Sequence, residues 1–327
     1  MFLAAFFPVA IYGSDIDGNL VADGNSEQTY QLITASGYMY ECPDVSRDHA
    51  TFPFQHIQQV YDEDLARFAF QFFIHAKIDD DRGIETTTDR QRNEIKTWGK
   101  SPSFMVGQSG DSLEIRWKFK LPVGMLTTKK FTHVHQLKGI DNQQGTADVA
   151  NPLVTFTCCT TGNGDTQRQE MQIRYVNRED GSIVRLAEID MSLLMGRWVD
   201  VVECVRIGEH GCYSLIISDV DTGNVLLRVK PTSCNLWCDK GEGVRPKWGI
   251  YRYIGEQRSL ENELRDEELR FTDFSIRKVG ISTRVDLIQD GERCSAVGYD
   301  MLGRVVSPMF SINGKQLYIY KGKKVLR

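Results

Sequence analysis

The sequence lacks the signatures of several common protein classes. After its first residues, no apolar stretch reaches the ~18 residues that a membrane-spanning helix needs. It contains no P-loop, no G-x-G-x-x-G after a strand and no G-x-S-x-G elbow, which argues against the corresponding nucleotide-binding proteins and serine hydrolases. It also has no pair of C-x-x-C motifs, so a structural zinc site is not expected.

An excess of basic residues is missing as well. Lysine and arginine number 39 against 44 aspartates and glutamates, which gives the 327-residue chain a formal net charge of -5. A dedicated nucleic-acid-binding protein is usually basic overall, so we expect no nucleic-acid partner, although a local basic groove is compatible with this balance. With 41% hydrophobic and 25% charged residues, the composition is that of a folded soluble protein.

The start of the chain has the composition of a secretory signal peptide. Residues 1–14 are apolar, end in Gly13-Ser14 and are followed by Asp15. An apolar β-strand is the alternative interpretation. As a signal peptide, the segment predicts a secreted, periplasmic or cell-surface protein. Some of the eight cysteines would then be able to form disulfides, with buried free thiols as the alternative.

Strand-like alternation dominates the middle of the chain, and helical periodicity is scarce. In residues 114–121 the apolar side chains of Ile115, Trp117 and Phe119 alternate with charged ones, as in a half-buried strand. Many short strands separated by regular turns predict an all-β jelly-roll sandwich of the concanavalin-like type over residues 15–280. The further strand candidates are residues 153–159, 170–176, 198–205, 213–218, 225–229, 249–253 and 269–278.

The first of three stretches with candidate catalytic or binding side chains is a charged strand. Arg90, Arg92, Glu94 and Lys96 share one face of this strand. A charged surface of this kind is not expected to be buried. Glu94 is able to hold Arg92 and Lys96 in place, which leaves donors for an anionic ligand. A solvated strand face with mutual salt bridges is the alternative.

The second stretch contains two of the six histidines. His133 and His135 are two residues apart, so both are expected to point the same way from a strand. A neutral imidazole is a suitable general base near physiological pH. A metal-binding pair is the alternative, but two ligands leave such a site incomplete, and no further ligand spacing completes it convincingly.

The third stretch spans residues 245–253. On a strand, Lys247, Gly249 and Tyr251 would lie on one face and Arg252 on the other. Gly249 is expected to open space for a ligand close to the backbone. Positive charge from Lys247 and Arg252 is expected to favour the phenolate of Tyr251, with an exposed sheet tyrosine as the alternative.

Together the three stretches resemble the jelly-roll polysaccharide lyases, namely alginate lyases, glucuronan lyases and the heparin lyase I group. Those proteins share an R-x-E-x-R strand, a Q-x-H strand and a K-x-G-x-Y strand in this chain order. Residues 92–96 match the first strand, with Lys96 in place of the second arginine. Residues 133–135 match the second, with His133 in place of glutamine, and residues 247–251 match the third.

The resemblance implies β-elimination on an anionic uronic-acid polysaccharide, by an enzyme that requires no cofactor and that we expect to be a monomer. It assigns the neutralisation of the substrate carboxylate to Arg92 and His133. The base and acid are His135 and Tyr251, and the sequence leaves open whether Tyr251 serves both roles. Further substrate-binding candidates are Lys96, Glu94, Lys247, Arg90, Lys138 and Arg252. The basic face of Arg116, Lys118 and Lys120 is expected to line the same groove as Lys138 and to attract a polyanion, with a solvated strand face as the alternative.

A structural calcium ion is a further expectation, because sandwich domains often hold one with loop carboxylates. The candidate ligands are Asp273, Asp15 and Asp17. Surface acids without an ion are the alternative.

The last residues, 281–327, differ from the predicted sandwich. Within them, residues 299–306 and 317–325 resemble the C-terminal secretion or sorting segments of exported Bacteroidetes proteins. This resemblance implies an exported protein, and a terminal β-hairpin of the main domain is the alternative.

Two other functions fit a sandwich fold. A glycoside hydrolase needs two carboxylates that flank the bond. The E-x-D-x-x-E signature of sandwich glucanases is incomplete here, because Leu193 follows Glu188 and Asp190 where the second Glu would stand. A non-catalytic carbohydrate-binding protein would instead use exposed aromatic platforms, for which the candidates are Trp98, Trp237 and Trp248.

Overall fold

A computed structural model describes residues 18–84 and 86–279, together with the strands of the C-terminal segment. The predicted signal segment 1–14 and the candidate calcium ligands Asp15 and Asp17 lie outside the described residues. The described strands fall into two compact units, the first ending at Lys278 and the second beginning at Val279.

The first unit is built almost entirely from strands. Its described residues contain one short α-helix, α1 (Thr29–Ala35), and short 3-10 helices at Ser26–Gln28, Pro43–Val45, Ser103–Met105, Gly164–Thr166, Met191–Leu193, Glu256–Arg258 and Glu261–Glu263. Its strands are β1 (Met39–Glu41), β2 (Ile57–Asp62), β3 (Arg67–Ile74), β4 (Arg90–Lys96), β5 (Ser112–Lys120), β6 (Thr132–Ile140), β7 (Val154–Thr161), β8 (Arg168–Val176), β9 (Ile183–Asp190), β10 (Trp198–Arg206), β11 (Gly208–Asp219), β12 (Val225–Leu236), β13 (Gly243–Tyr253) and β14 (Glu267–Lys278).

These strands form two antiparallel sheets of seven strands each. The first sheet has the order β1-β4-β13-β6-β7-β8-β9, and the second has the order β12-β11-β10-β5-β14-β3-β2. Neighbours that are distant in the chain, such as β4 and β13, show that the chain crosses repeatedly between the sheets. The prediction of an all-β jelly-roll sandwich is confirmed.

The core lies between the two sheets, as the alternation in β5 predicts. Ile115, Trp117 and Phe119 are fully buried, while Arg116 between them is exposed. Each large apolar side chain that is fully buried contributes about 1.5–3 kcal/mol relative to its exposed state. The interior is rich in aromatic contacts, for example between Trp117 and Phe271, whose ring centroids lie 6.1 Å apart.

The core also contains one buried carboxylate with several partners. Glu203 accepts hydrogen bonds from Trp117 Nε1 at 3.0 Å and from the Tyr213 hydroxyl at 2.8 Å. The side chain is fully buried, so these donors replace the water that it would otherwise bind.

The basic face of β5 corrects one prediction. Arg116, Lys118 and Lys120 alternate with core residues of the second sheet, so they point away from the first sheet. The expectation that they line the same groove as Lys138, a residue of the first sheet, is therefore wrong. Their ion-pair partners are Glu114 for Arg116, Asp200 and Asp273 for Lys118, and Asp64 for Lys120.

The candidate calcium ligand Asp273 belongs to this charged surface. Its carboxylate accepts a hydrogen bond from Arg67 Nη1 at 2.8 Å and one from Lys118 Nζ at 2.9 Å. Two cationic side chains therefore already neutralise the negative charge of Asp273, which a calcium ion would need for binding.

The second unit contains short antiparallel strands. β15 (Gly298–Tyr299) pairs with β16 (Val305–Val306), and β17 (Phe310–Ile312), β18 (Lys315–Tyr320) and β19 (Lys323–Leu326) form a three-stranded sheet. Its role in secretion or sorting stays a prediction. Among the described residues, no helix has the length and hydrophobicity that crossing a membrane requires.

Candidate functional site

The outer face of the first sheet, the face turned away from the second sheet, carries the candidate site. Gln91 and Asn93 of β4 point inward, where the Asn93 amide donates to the backbone oxygen of Phe73 in the second sheet at 2.8 Å. The alternate residues Arg90 and Arg92 therefore point outward, together with Glu94 and Lys96. The shared face predicted from the spacing is present.

Three functional side chains lie side by side across three adjacent strands. Tyr251 of β13 is the register partner of Arg92 on β4 and of His133 on β6. The guanidinium carbon of Arg92 lies 3.8 Å from the centre of the Tyr251 ring, and the His133 ring centroid lies 5.9 Å from it. Arg90 Nη1 donates to the Tyr251 hydroxyl at 2.7 Å. An arginine, a phenol and an imidazole thus converge at one point.

His135 does not join this group, because β6 contains a bulge. His133 pairs with Thr157 on β7 while His135 pairs with Phe156, so Val134 is an extra residue with no partner there. The extra residue reverses the alternation and turns His135 into the core. The prediction that both imidazoles point the same way is wrong.

The surroundings of His135 are those of a core residue. Its ring centroid lies 5.1 Å from that of Trp117 and 5.5 Å from that of Trp248, and the side chain is fully buried. Its Nε2 lies 3.1 Å from Glu203 Oε1, a close contact that lacks the geometry of a hydrogen bond. A polymer on the outer face cannot reach it, so the predicted base role of His135 is not supported.

Two further predictions about β13 are also corrected. Gly249 has a φ of +141°, and a Cβ placed there would lie 2.1 Å from the backbone oxygen of Asn93. The missing side chain of Gly249 therefore lets the neighbouring strand β4 approach closely and does not make room for a ligand. Arg252 points inward, where its Nε donates to Gln91 Oε1 at 2.8 Å, so it does not line the outer face.

A second row of charged side chains lies next to Tyr251 along the strands. Lys247 Nζ lies 2.7 Å from both Glu94 Oε2 and Glu41 Oε2, and Lys96 Nζ lies 2.5 Å from Glu41 Oε1. Gln136 donates to the other oxygen of Glu94. Each carboxylate of the row is therefore held by more than one donor.

This second row is buried, contrary to the prediction of a solvated charged surface. Glu94 is only 1% exposed and Lys247 only 2%. Burial opposes ionisation of Glu94, but Lys247 and Arg92 outweigh it and hold the pKa of its carboxyl below the ordinary value. Glu41, which the sequence did not single out, supplies the second negative charge that makes this burial possible.

Two cations at the far end of the same face form no ion pair with any described acidic residue. Arg245 on β13 is the direct register partner of Lys138 on β6. Among the described residues, Lys138 Nζ bonds only to the backbone oxygen of Ala150 at 3.0 Å, and Arg245 Nε is buried without a hydrogen-bond partner. Like charges directly opposite each other destabilise a sheet. Their juxtaposition fits an anionic ligand on this surface.

Burial sets the protonation states at the site. It raises the pKa of the Tyr251 phenol, and the lowering effects of Arg92 and Arg90 only partly offset this. The predicted preference for the phenolate is therefore wrong, and the hydroxyl is protonated. Burial lowers the pKa of His133 to about 3, so this imidazole is neutral and, without a bound anion beside it, a weak base.

Several residues of the site were missed by sequence reasoning. Asp81 accepts a hydrogen bond from Arg92 Nε at 2.7 Å and fixes the guanidinium beneath the Tyr251 ring. The acidic run at residues 79–81 was an available signal for it, and glutamine in the Q-x-H pattern was a signal for Gln136. Nothing in the local sequence marks Glu41, since only the pairing of β1 with β4 brings it to the site.

The residues of the two alternative functions lie elsewhere. Trp248 is fully buried in the core and offers no sugar platform, while Trp98 and Trp237 are half-buried. Glu188 and Asp190 lie on β9 at the edge of the first sheet, where Glu188 pairs with Arg185 and Asp190 caps the following 3-10 turn.

The chain matches no protein-family model and none of the curated proteins. Among solved structures it is similar to alginate lyase A1-II', a member of polysaccharide lyase family 7. The sequence identity is 14% and the TM-score 0.49, over 76% of this chain and 97% of that chain. It is also similar to alginate lyase AlyC3, with 13% identity and a TM-score of 0.47 over 80% of this chain and 97% of that chain. The chain is similar as well to the endo-beta-1,4-glucuronan lyase from the fungus Trichoderma reesei, with 11% identity and a TM-score of 0.45 over 74% of this chain and 95% of that chain.

Proposed function

We propose that this chain is a polysaccharide lyase that cleaves a uronic-acid-containing polysaccharide by β-elimination. The observation that carries the proposal is the alignment of Arg92, Tyr251 and His133 as register partners on three adjacent strands. The order of the three motifs along the chain, which resembles that of jelly-roll lyases, supports the same reaction.

The proton transfers divide between His133 and Tyr251. The neutral imidazole of His133 takes the C5 proton, which lies next to the sugar carboxylate. The electrons of the C5–H bond form the C4–C5 double bond, and the C4–O4 bond breaks with its electron pair going to O4. The protonated phenol of Tyr251 gives its proton to O4, which leaves as a hydroxyl on the shortened polymer.

Positive charge must stabilise the dianion that forms on the sugar carboxylate during proton removal. Arg92 and Arg90 lie closest to Tyr251 and supply it. A bound carboxylate also favours the protonated form of His133, so the imidazole becomes more basic when the substrate is present.

The polymer extends from Tyr251 toward Arg245 and Lys138. Arg245 lies six residues before Tyr251 on β13, which corresponds to about 20 Å at the rise of a strand. The second row, with Lys247 and Lys96, lies between these two points. A polyanion with one carboxylate per sugar would meet Arg90 and Arg92 at one end of this path and Arg245 and Lys138 at the other, with the partly exposed Lys96 between them.

The test is the release of unsaturated product from a panel of uronic-acid polysaccharides. The full chain is expected to increase ultraviolet absorbance from the C4–C5 double bond on at least one polymer. Tyr251→Phe is expected to lower the turnover by at least ~100-fold, because it removes the acid. Tyr253→Phe, a change of the half-buried tyrosine two residues further along β13, is the matched control and keeps full activity.

Each opposite outcome identifies a competing function. Reducing ends without ultraviolet absorbance would indicate a hydrolase. Binding of a uronan without turnover on any polymer would indicate a carbohydrate-binding protein. Near-normal release of unsaturated product by Tyr251→Phe would remove Tyr251 from the reaction.

A further inference from the structure

A second cluster of titratable side chains lies apart from Tyr251, on the segments that flank β2 and β3. His49 and His56 precede β2, and His75 and Asp79 follow β3. Asp44 lies beside them. Half of the six histidines of the chain are gathered here, and the reaction proposed above uses none of them.

The cluster has the dimensions of a metal site. His49 Nε2 and His56 Nε2 lie 3.3 Å and 3.0 Å from the same oxygen, Asp79 Oδ1. One ligand atom from each of the three side chains lies within 4.8 Å of the others. A tetrahedral zinc ion with bonds of about 2.0–2.2 Å holds its ligand atoms about 3.3 Å apart, so these spacings match.

The far side of each candidate ligand is held by a second contact. His56 Nδ1 bonds to the carboxylate of Asp44. His49 Nδ1 lies 2.7 Å from the hydroxyl of Thr51 and accepts the backbone N–H of Thr51 at 3.2 Å, and Asp79 Oδ2 accepts the backbone N–H of His75 at 2.6 Å. The contact of His56 with Asp44 is the usual arrangement of a histidine that binds a metal, which donates its other ring N–H and aims the free nitrogen at the ion.

One ligand atom makes no hydrogen bond within the described residues, although it lies 3.3 Å from Asp79 Oδ1. Nε2 of His49 is buried without a hydrogen-bond partner, and the side chain of His49 is only 2% exposed. Burying a polar atom without a partner is costly. Protonation of His56 between Asp44 and Asp79 would satisfy His56 but would leave His49 unpaired.

We propose that His49, His56 and Asp79 bind one Zn²⁺ ion. Two imidazole nitrogens and one carboxylate oxygen suit zinc better than calcium or magnesium, which prefer all-oxygen sites. Asp79 and Asp44 together balance the two positive charges of the ion. The lack of C-x-x-C pairs predicted no structural zinc, but histidines on separate segments give no such spacing.

The proposed zinc ligand Asp79 belongs to the loop that supports Arg92. The backbone oxygen of Asp79 accepts from Gln91 Nε2 at 2.8 Å, and that of Asp80 accepts from Arg92 N at 3.1 Å. Asp81, two residues beyond the ligand, fixes the Arg92 guanidinium. This consequence for the Tyr251 site depends on the proposed function, whereas zinc binding itself does not.

Zinc content and stability test the proposal without any measurement of lyase activity. The full chain is freed of metal with a chelator and titrated with ZnCl₂ by calorimetry. One Zn²⁺ per chain and a higher melting temperature are expected, and CaCl₂ at the same concentration is expected to cause neither. Absence of zinc binding at micromolar concentration would overturn the proposal.

Variants locate the site. His49→Gln and Asp79→Asn are expected to weaken zinc binding at least ~100-fold, and Asp44→Asn about 10–100-fold because it only orients His56. His210→Gln, at an exposed histidine of β11, is the matched control and keeps the wild-type affinity. Circular dichroism of each metal-free variant checks that it folds like the metal-free parent. Unchanged zinc affinity in a folded His49→Gln chain would assign the ion to another site.

Discussion

His135 Nε2 lies 3.1 Å from the buried carboxylate oxygen Oε1 of Glu203, on the opposite side of the sheet from Tyr251. His133, only two residues away, lies beside Tyr251 on the outer face. Two histidines that look equivalent in the sequence therefore have different tasks. One is available for chemistry, and the other belongs to a polar network within the core.

Substitution of the two histidines by the same residue separates these tasks. His133→Gln is expected to lower the turnover at least ~100-fold while the free energy of unfolding stays close to that of the parent, because glutamine keeps a polar group for the Thr157 hydroxyl that His133 Nδ1 contacts. His135→Gln is expected to lower the free energy of unfolding, while the folded fraction keeps its turnover. Steady-state kinetics and urea unfolding of both variants measure the two effects. If His135 were the base, His135→Gln would lose the turnover and His133→Gln would keep it.

The bulge explains why the sequence misassigned these histidines. Pattern reasoning assumes regular pairing, and Val134 is a strong strand former that gives no sign of being an extra residue. By contrast, the existence of the strands was predictable from alternation and turns. Residues 198–205 were predicted as a strand, for example, and β10 spans Trp198–Arg206. The alternation of apolar and polar residues shows which face of a single strand is buried. A bulge depends instead on how the strand pairs with its neighbour.

Arg245 and Lys138 are expected to bind the polymer without taking part in bond cleavage. Arg245→Ala and Lys138→Ala should each raise KM about 10-fold or more, the range of a lost hydrogen bond to a charged group, with little change in kcat. The effect should shrink as salt is added, because added ions screen the attraction. Arg116→Ala removes an equally basic side chain from the second sheet and is the control.

An equal rise in KM for Arg116→Ala would mean that the polymer does not lie along the outer face of the first sheet. A fall in kcat alone for Arg245→Ala would instead place Arg245 at the reacting sugar.

The burial of Glu94 and Lys247 could not be read from the sequence for a similar reason. A run of alternating charges ordinarily marks a solvated face. Here β1 brings Glu41 against Lys247 and Lys96, so opposite charges saturate each other and exclude water. The partner that makes burial tolerable lies more than fifty residues away in sequence from Lys96, the nearer of the two cations.

The activity should depend on pH through the lysines of this face. Burial lowers the pKa of Lys138 to about 8, with repulsion from Lys247 and Arg92 adding to the effect. As the pH rises through 8, Lys138 loses its charge and kcat/KM should fall, while kcat at saturating polymer stays constant. His133 has a pKa of about 3 and stays neutral well below pH 7, so the acid side should be flat down to about pH 4.

Lys138→Arg provides the comparison for this profile. Arginine keeps its charge throughout this range, so the fall above pH 8 should be smaller in the variant. Burial also lowers the pKa of Lys96 to about 8, even though its partner Glu41 opposes the change, so a residual fall is expected. Identical profiles for the parent and Lys138→Arg would show that Lys138 does not contact the substrate.

The buried carboxylate of Glu203 should be a major determinant of stability. Glu203→Ala leaves the Trp117 indole N–H and the Tyr213 hydroxyl without their shared acceptor in the core and removes the carboxylate beside His135. Breaking a buried charged interaction by removing one partner typically costs about 3–5 kcal/mol, and we expect a loss of this size in urea unfolding. Glu203→Gln, which keeps one acceptor oxygen, should lose less. Glu114→Ala, at a carboxylate on the outside of the second sheet, should lose less than about 1 kcal/mol. A loss for Glu203→Ala no larger than that of Glu114→Ala would show that the core network contributes nothing to stability.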